Sequence, residues 1–372
     1  MTTSKQKILY IGTTNEASGW GEASRGDLRA LAKGFDVVSR PMIYSAGAER
    51  SQLEGFKELE SKPLDGVSHV IQYCLPEQWR RYGTMKHIGY VEIESFDLSL
   101  SRIADYFNMV DEIWVPNSDS VSVIKQVYSG PVKYVPHAID RSPYKNSYNF
   151  PNIPEISGTF KFFCASEDIP RKNLEGLVSA FWTEFDPTEP VSLIIKTHAS
   201  ILSKVEALKK KMRLYDVDAY QKIVIIHNKL VQDEMLGLYQ YCDCYVNPSM
   251  GESWGLPIVH AIGFNKPIIS PSIGGPGDLL KNYNNHINLV GVGEWCEGQN
   301  FNLGGYQTGH DNWYKPALIG LKNGMREVYQ NKQEYNKKSE ALAEFSEEVF
   351  IRNVKAALPQ VDLAMLPLSS FS

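Results

Sequence analysis

The residues best placed to do chemistry lie between positions 247 and 278, a run reading NPSMGESWGLPIVHAIGFNKPIISPSIGGPGD. Glu252 supplies a carboxylate in a loop of small residues, and Gly255, Leu256 and Pro257 lead into an apolar-periodic segment at 258–264. Proline suits the first turn of a helix, because the N–H it lacks has no intrahelical partner there. A loop feeding a helix N-terminus offers unpaired N–H groups and the positive end of a dipole. The backbone of Ser253, Trp254, Gly255 and Leu256 is therefore a seat for phosphate. The apolar run before this loop (Cys242, Tyr245, Val246) and the segment 267–270 after it read as strands, the second ending in a Gly274-Gly275 turn. Two consecutive strand ends facing one crevice is where open α/β sheets place their ligands.

The elements that must position these residues alternate along the whole chain. Residues 7–12 (KILYIG) read as a buried strand, followed by a polar loop, a helical pattern through Leu28, Leu31 and Ala32, and a second strand near 35–38. In that first loop Gly19, Trp20 and Gly21 would let backbone approach a ligand, but they lie too far past the strand for a dinucleotide fingerprint. Strands follow at 67–73, 86–95, 111–116 and 132–137, with helical patterns at 98–109 and 117–127. The 86–95 strand ends in Glu92 and Glu94, which a period of two places on one face. Composition shifts to Pro, Asn and Ser over 141–159, the best candidate for a linker. Strands at 161–165, 191–197 and 223–227, alternating with helices at 174–185, 205–215 and 231–241, then lead back to the 247–278 stretch. Strand, helix, strand throughout specifies doubly wound parallel sheets, and 372 residues suggest two domains.

Composition narrows the function class. Hydrophobic content of 43%, charged content of 22% and a net charge of −5 describe a globular chain without a general polyanion-binding balance. There is no run of about 18 apolar residues and no signal-like N-terminal segment, so a soluble, cytoplasmic protein is expected. The five cysteines (Cys74, Cys164, Cys242, Cys244, Cys296) are scattered and odd in number, as expected of reduced thiols. Asp216 and Asp218 form the one Asp-x-Asp pair and read as a solvated turn, so no metal is expected. The basic, aromatic segment 79–87 (WRRYGTMKH) reads as a solvated helix end. It also leaves open contact with a membrane face or a nucleic acid.

The 247–278 run resembles the donor site of family-four retaining glycosyltransferases of the GT-B architecture: a Glu, a Gly-Leu-Pro helix entry, a second Glu eight positions on, a strand, then a Gly-Gly turn. Glu252 fills the first position and His260 stands at the second, a departure from the pattern. Arg171 and Lys172 before an apolar helix match the family's phosphate loop; the further Arg often found six residues before the Lys is Ser166 here. In the first half, IGYVEIES, MVDEIWVPN and VKYVPHAID resemble the family's acceptor domain, placing Glu94 and His137 at strand ends facing the crevice. The resemblance implies two Rossmann-like domains across a cleft: an acceptor domain at 1–150, rejoined by a C-terminal helix at about 346–372, and a nucleotide-sugar donor domain at 151–345.

Chemically, such a site breaks a sugar–phosphate bond, so it needs fixed positive groups at the leaving diphosphate and acceptors that orient the sugar. Lys172, Arg171 and the helix mouth serve the first need, and Glu252 can hold two adjacent hydroxyls. The resemblance implies catalytic roles for Glu252, Lys172, His137 and Glu94, and donor contacts from Arg171, Ser253, Trp254, Gly255, Leu256, His260, Gly19, Trp20 and Gly21. It also implies transfer with retention, without metal or cofactor, from a UDP- or GDP-linked donor. In the family the second Glu holds the ribose diol, a task a neutral imidazole at His260 can share because it both donates and accepts. The acceptor is left open among a glycan, a lipid-linked sugar and a modified nucleobase in DNA. A degenerate nucleotide-sugar sensor and a GT-B epimerase or phosphorylase are the competing readings.

Overall fold

The computed structural model describes residues 5–16, 18–44, 56–214, 220–297 and 312–358. Strands β1 (Lys7–Gly12), β2 (Asp36–Pro41), β3 (His69–Tyr73), β4 (Lys86–Tyr90), β5 (Glu112–Val115) and β6 (Val132–Tyr134) form one parallel sheet in the order β2-β1-β3-β4-β5-β6. A second parallel sheet has the order β12-β11-β10-β7-β8-β9. It is built from β7 (Phe160–Ala165), β8 (Val191–Lys196), β9 (Ile223–Ile226), β10 (Cys244–Val246), β11 (Ile268–Ser270) and β12 (His286–Asn288). A short antiparallel hairpin, β13 (Gly293–Glu297) with β14 (Asn312–Pro316), completes the strands.

Among the described residues the helices are α1 (Gly19–Gly34), α2 (Lys57–Ser61), α3 (Ser118–Ile124), α4 (Leu174–Glu184), α5 (Ile201–Lys211), α6 (Gln232–Tyr241), α7 (Leu256–Gly263), α8 (Gly275–Leu280), α9 (Leu318–Gln330) and α10 (Glu347–Ala357). The central strands are apolar without alternation because helices cover both faces; His69–Tyr73 and Cys244–Val246 are buried at every position. Helix α10 packs in the first domain, where Phe350, Val354 and Ala357 join Leu28 and Leu31 of α1 in one core. It is tied at its start by an isolated bridge between Ile139 and Ser346. Positions 359–372 and the Asp216/Asp218 pair lie outside the described residues.

The strand expected over 86–95 stops at Tyr90. Beyond it the chain leaves the sheet: the Val91 amide still donates to Trp114 O at 3.0 Å, but the Ile93 amide donates to Ser253 Oγ of the other domain, also at 3.0 Å. Glu92 and Glu94 are thus loop residues, and period-two reasoning does not govern them. The helix expected at 98–109 is wound as 3-10 turns over Arg102–Met109, with only Ile103 and Phe107 of that segment buried. No helix among the described residues is long and apolar enough to cross a membrane.

Candidate active site

The second sheet reverses its winding between β7 and β10, and the loops leaving these two strands build the basic half of the site. After β7 the chain makes a 3-10 turn over Pro170–Lys172, then enters α4 through Asn173 in the left-handed region (φ 52°). Asn173 Nδ2 donates to Pro248 O at 3.2 Å and the Met250 amide to Arg171 O at 2.8 Å, so the two loops are stitched together. Lys172 Nζ bonds the Glu252 carboxylate, and Arg171 Nη1 donates to Gly251 O. Burial opposes ionisation of Glu252, but Lys172 and Arg171 outweigh it and hold its carboxyl below the usual range.

Gly255 caps α7 with φ 97°, a conformation that glycine adopts without strain, and Pro257 sits in the first turn as anticipated. The Gly274-Gly275 turn lies under this loop: a Cβ on Gly275 would fall 2.2 Å from Trp254 O and one on Gly274 would fall 2.5 Å from Glu252 O. Close approach of backbone to backbone, not ligand contact, is why glycines stand there.

The first domain contributes a buried ionic chain. Asp27 of α1 is fully buried; its Oδ1 accepts the Ala138 amide at 2.9 Å and its Oδ2 lies 2.7 Å from His137 Nδ1. His137 Nε2 is 2.7 Å from Glu92 Oε1, which also accepts the Tyr73 hydroxyl at 2.7 Å. Burial alone would drive the imidazole neutral, yet Asp27 and Glu92 together lift its pKa to about 10. His137 is therefore a fixed imidazolium at neutral pH. Burial likewise works against ionisation of Glu92, but its His137, Ser253 and Tyr73 donors hold it below the usual carboxyl range.

The two halves meet at named contacts. Glu94 Oε1 is 2.7 Å from Arg171 Nη2. Ser253 is gripped by the first domain through its hydroxyl, at the Ile93 amide, and through its carbonyl, which accepts Asn117 Nδ2 at 2.7 Å. Asp278 accepts both the amide and the hydroxyl of Ser118, and Asp119 accepts the Gly274 amide at 2.8 Å. Helices α1 and α7 face each other here, since a Cβ on Gly19 would lie 3.9 Å from Leu256 Cδ1.

The structure brings Glu252, Lys172, Arg171 and Glu94 into one cluster and places His137 beside it, through Glu92 and Ser253. Ser253 and Trp254 are buried, Trp254 edge-on to His137 and Phe345, so their side chains pack the interface between domains. Trp20 stacks on Tyr73 with ring centroids 5.1 Å apart. Gly19, Trp20 and Gly21 are not loop residues but the first turn of α1, and Gly21 is required by the loop packed against it, since a Cβ there would overlap Glu16 O at 1.9 Å. His260 has both ring nitrogens engaged: Nδ1 with the Tyr144 hydroxyl at 3.0 Å, and Nε2 with Glu22 Oε1 of α1 at 3.1 Å. A diol would have to displace one of these. His260→Ala is expected to raise the donor KM about threefold, more than it lowers kcat, because it removes a ring that can both donate and accept hydrogen bonds between α7 and α1. An unchanged KM in steady-state kinetics would remove His260 from the donor site.

Sequence reasoning missed Asp27, Glu22, Tyr73 and Asn117. Asp27 alone left a signal: it sits four residues from Ala23 and four from Leu31, on the apolar stripe of α1, where a carboxylate needs a buried partner. Among the described residues no cluster of three or more His, Cys, Asp or Glu side chains is arranged to hold a metal ion.

Residues 160–296 match the family described as "Glycosyl transferases group 1". No curated protein matches the chain. HepE from Anabaena, solved with UDP-glucose, is similar in fold: TM-score 0.65, 13% identity, over 95% of this chain and 100% of that one. Sucrose-phosphate synthase from Thermosynechococcus elongatus superposes at TM-score 0.61 with 12% identity, over 95% of this chain and 98% of the other. A glycosyltransferase from Rickettsia africae does so at 0.58 and 13%, with the same two coverages. Two parallel sheets meeting at such a basic strand-end seat give the chain the GT-B fold of these solved structures, and residues 160–296, which include that seat, match glycosyl transferases group 1.

Proposed function

We propose that the protein transfers a sugar from a UDP- or GDP-linked donor to a hydroxyl acceptor, with retention of configuration and without a metal ion, in the manner of family-four enzymes. The observation that carries this is the placement of Arg171 and Lys172 beside the N-terminus of α7 at the point where the second sheet reverses its winding. Cations and a helix mouth together supply the charge that a departing diphosphate needs. That HepE was solved with UDP-glucose supports a nucleotide sugar as the donor. Glu92, Glu94 and Glu252 are each tied to a cation, which favours neither the general base that inversion needs nor a nucleophile for double displacement, and so suits a front-face transfer with retention. The leaving phosphate is then the group that takes the acceptor's proton, on the face it departs from.

The acceptor hydroxyl belongs to a glycan, a lipid-linked sugar or a modified nucleobase, and the reducing cytoplasm suits the five free thiols. The engaged ring of His260, with Ser166 in place of a cation, favours a sensor as the second reading. One experiment separates them. Incubated with an α-linked donor in excess EDTA, the protein is expected to release free sugar slowly, appearing first as the α-anomer by proton NMR. Release of the β-anomer would overturn retention, arrest by EDTA would overturn metal independence, and no release with retained binding would favour the sensor.

A further inference from the structure

The donor seat is charge-balanced before any donor arrives. Lys172 is matched by Glu252 and Arg171 by Glu94, so an incoming diphosphate meets two carboxylates already on the cations it needs. The two acids are not held alike. Glu252 belongs to the same loop system as the cations: its carbonyl accepts the Gly275 amide at 3.0 Å, and the adjacent Gly251 O is bonded by Arg171. Glu94 comes from the other domain, and its side chain is 28% exposed against 5% for that of Arg171. The carboxylate thus has a way out into solvent while the guanidinium has none. Arg171 also keeps one N–H unused, since Nε is buried and has no hydrogen-bond partner among the described residues. With Nη1 on Gly251 O and Nη2 on one carboxylate oxygen, the buried guanidinium still has Nε unpaired, and a phosphate engaging both Nη2 and Nε would match it better. Burial, moreover, pushes the Glu94 carboxyl above its usual range despite Arg171, so its ionised form is held at a cost.

We propose that Glu94 is a stand-in for phosphate: it occupies Arg171 until the diphosphate of the donor displaces it, so that donor binding breaks the ion pair joining the two domains at the site. This rests on the donor reading above. It makes Glu94 a positioning residue that sets the state of Arg171, and it makes nucleoside diphosphates the ligands that release it.

The test is calorimetric titration of the full chain and its Glu94→Gln variant with UDP and GDP, with uridine and guanosine as probes lacking phosphate. Removing a competing charge-assisted bond is expected to lower Kd for the nucleoside diphosphate that binds by about tenfold. The nucleosides should be unaffected, and in kinetics the gain should fall on the donor KM. Glu94→Ala, which removes the same competitor, serves if the amide variant does not fold. Equal or weaker diphosphate binding by the variant overturns the proposal while leaving the donor reading intact. A parallel change for the nucleosides also overturns it, since that would be a general effect on the cleft. If neither protein binds any nucleoside diphosphate, the donor reading falls and takes this inference with it. Binding by the variant alone supports it.

Discussion

Glu252→Ala and Lys172→Ala are each expected to lower kcat/KM for the donor by about 100-fold or more, the usual effect of removing one preorganised electrostatic group. The two side chains form one partly buried pair, so each variant loses more than its own contact. Without Lys172 the seat has one cation facing Glu94 and Glu252, and the leaving diphosphate meets net negative charge. Without Glu252 the sugar loses its orienting acceptor, and Lys172 loses the partner that fixes its ammonium. Because the pair acts as a unit, the double variant should lose far less than the product of the single losses. Donor hydrolysis in the absence of acceptor measures all three variants without knowledge of the acceptor. Turnover near wild type in both single variants would contradict the assignment of the seat.

The second large effect is on stability. Asp27→Ala is expected to cost about 3–5 kcal/mol in urea denaturation at pH 7, because it leaves the His137 imidazolium buried with one of its two carboxylates missing. The sign with pH follows from linkage. The imidazole titrates near 6.5 in the unfolded chain and at about 10 in the folded one, so its contribution is fully present below pH 6.5 and is lost as pH rises through about 10. The gap between wild type and Asp27→Ala should therefore narrow as pH is raised toward 10. A gap that is absent at pH 7, or that grows toward alkaline pH, would show that His137 is not held as a cation.

What the sequence disclosed and what it hid divide along a physical line. Elements that bury themselves locally were legible. KILYIG is β1 residue for residue, and the apolar pattern before Pro257 and after it located β10, α7 and β11 to within two residues. Glu252 and the mouth of α7 were readable for the same reason, since strand end, loop and helix start are contiguous there; that Arg171 and Lys172 join them from 80 residues away was implied only by the resemblance. Features that depend on the two halves meeting were not. The strand after Lys86 ends early because residues 91–95 cross to Ser253, a partner 160 positions from Ile93. The resemblance casts His260 as a ribose ligand, and it gives no hint that the ring meets Glu22 on α1 and Tyr144 before β7. Glu92 and Glu94 looked equivalent by spacing and serve different cations, His137 and Arg171. The hairpin of β13 and β14 escaped notice because GEWCE and NWYKP mix polar and aromatic residues without a run long enough to signal a strand.

The central claim is that the carboxyl-terminal sheet grips a diphosphate through Lys172, Arg171 and the mouth of α7. Isothermal titration of the wild-type chain with UDP-, GDP-, ADP- and dTDP-sugars, repeated with Lys172→Ala, addresses it most directly. The account predicts saturable heat with at least one of these donors and binding weakened by about tenfold or more in the variant. A folded wild-type protein that gives no heat with any of them, or a Lys172→Ala variant that binds as tightly as wild type, would contradict it.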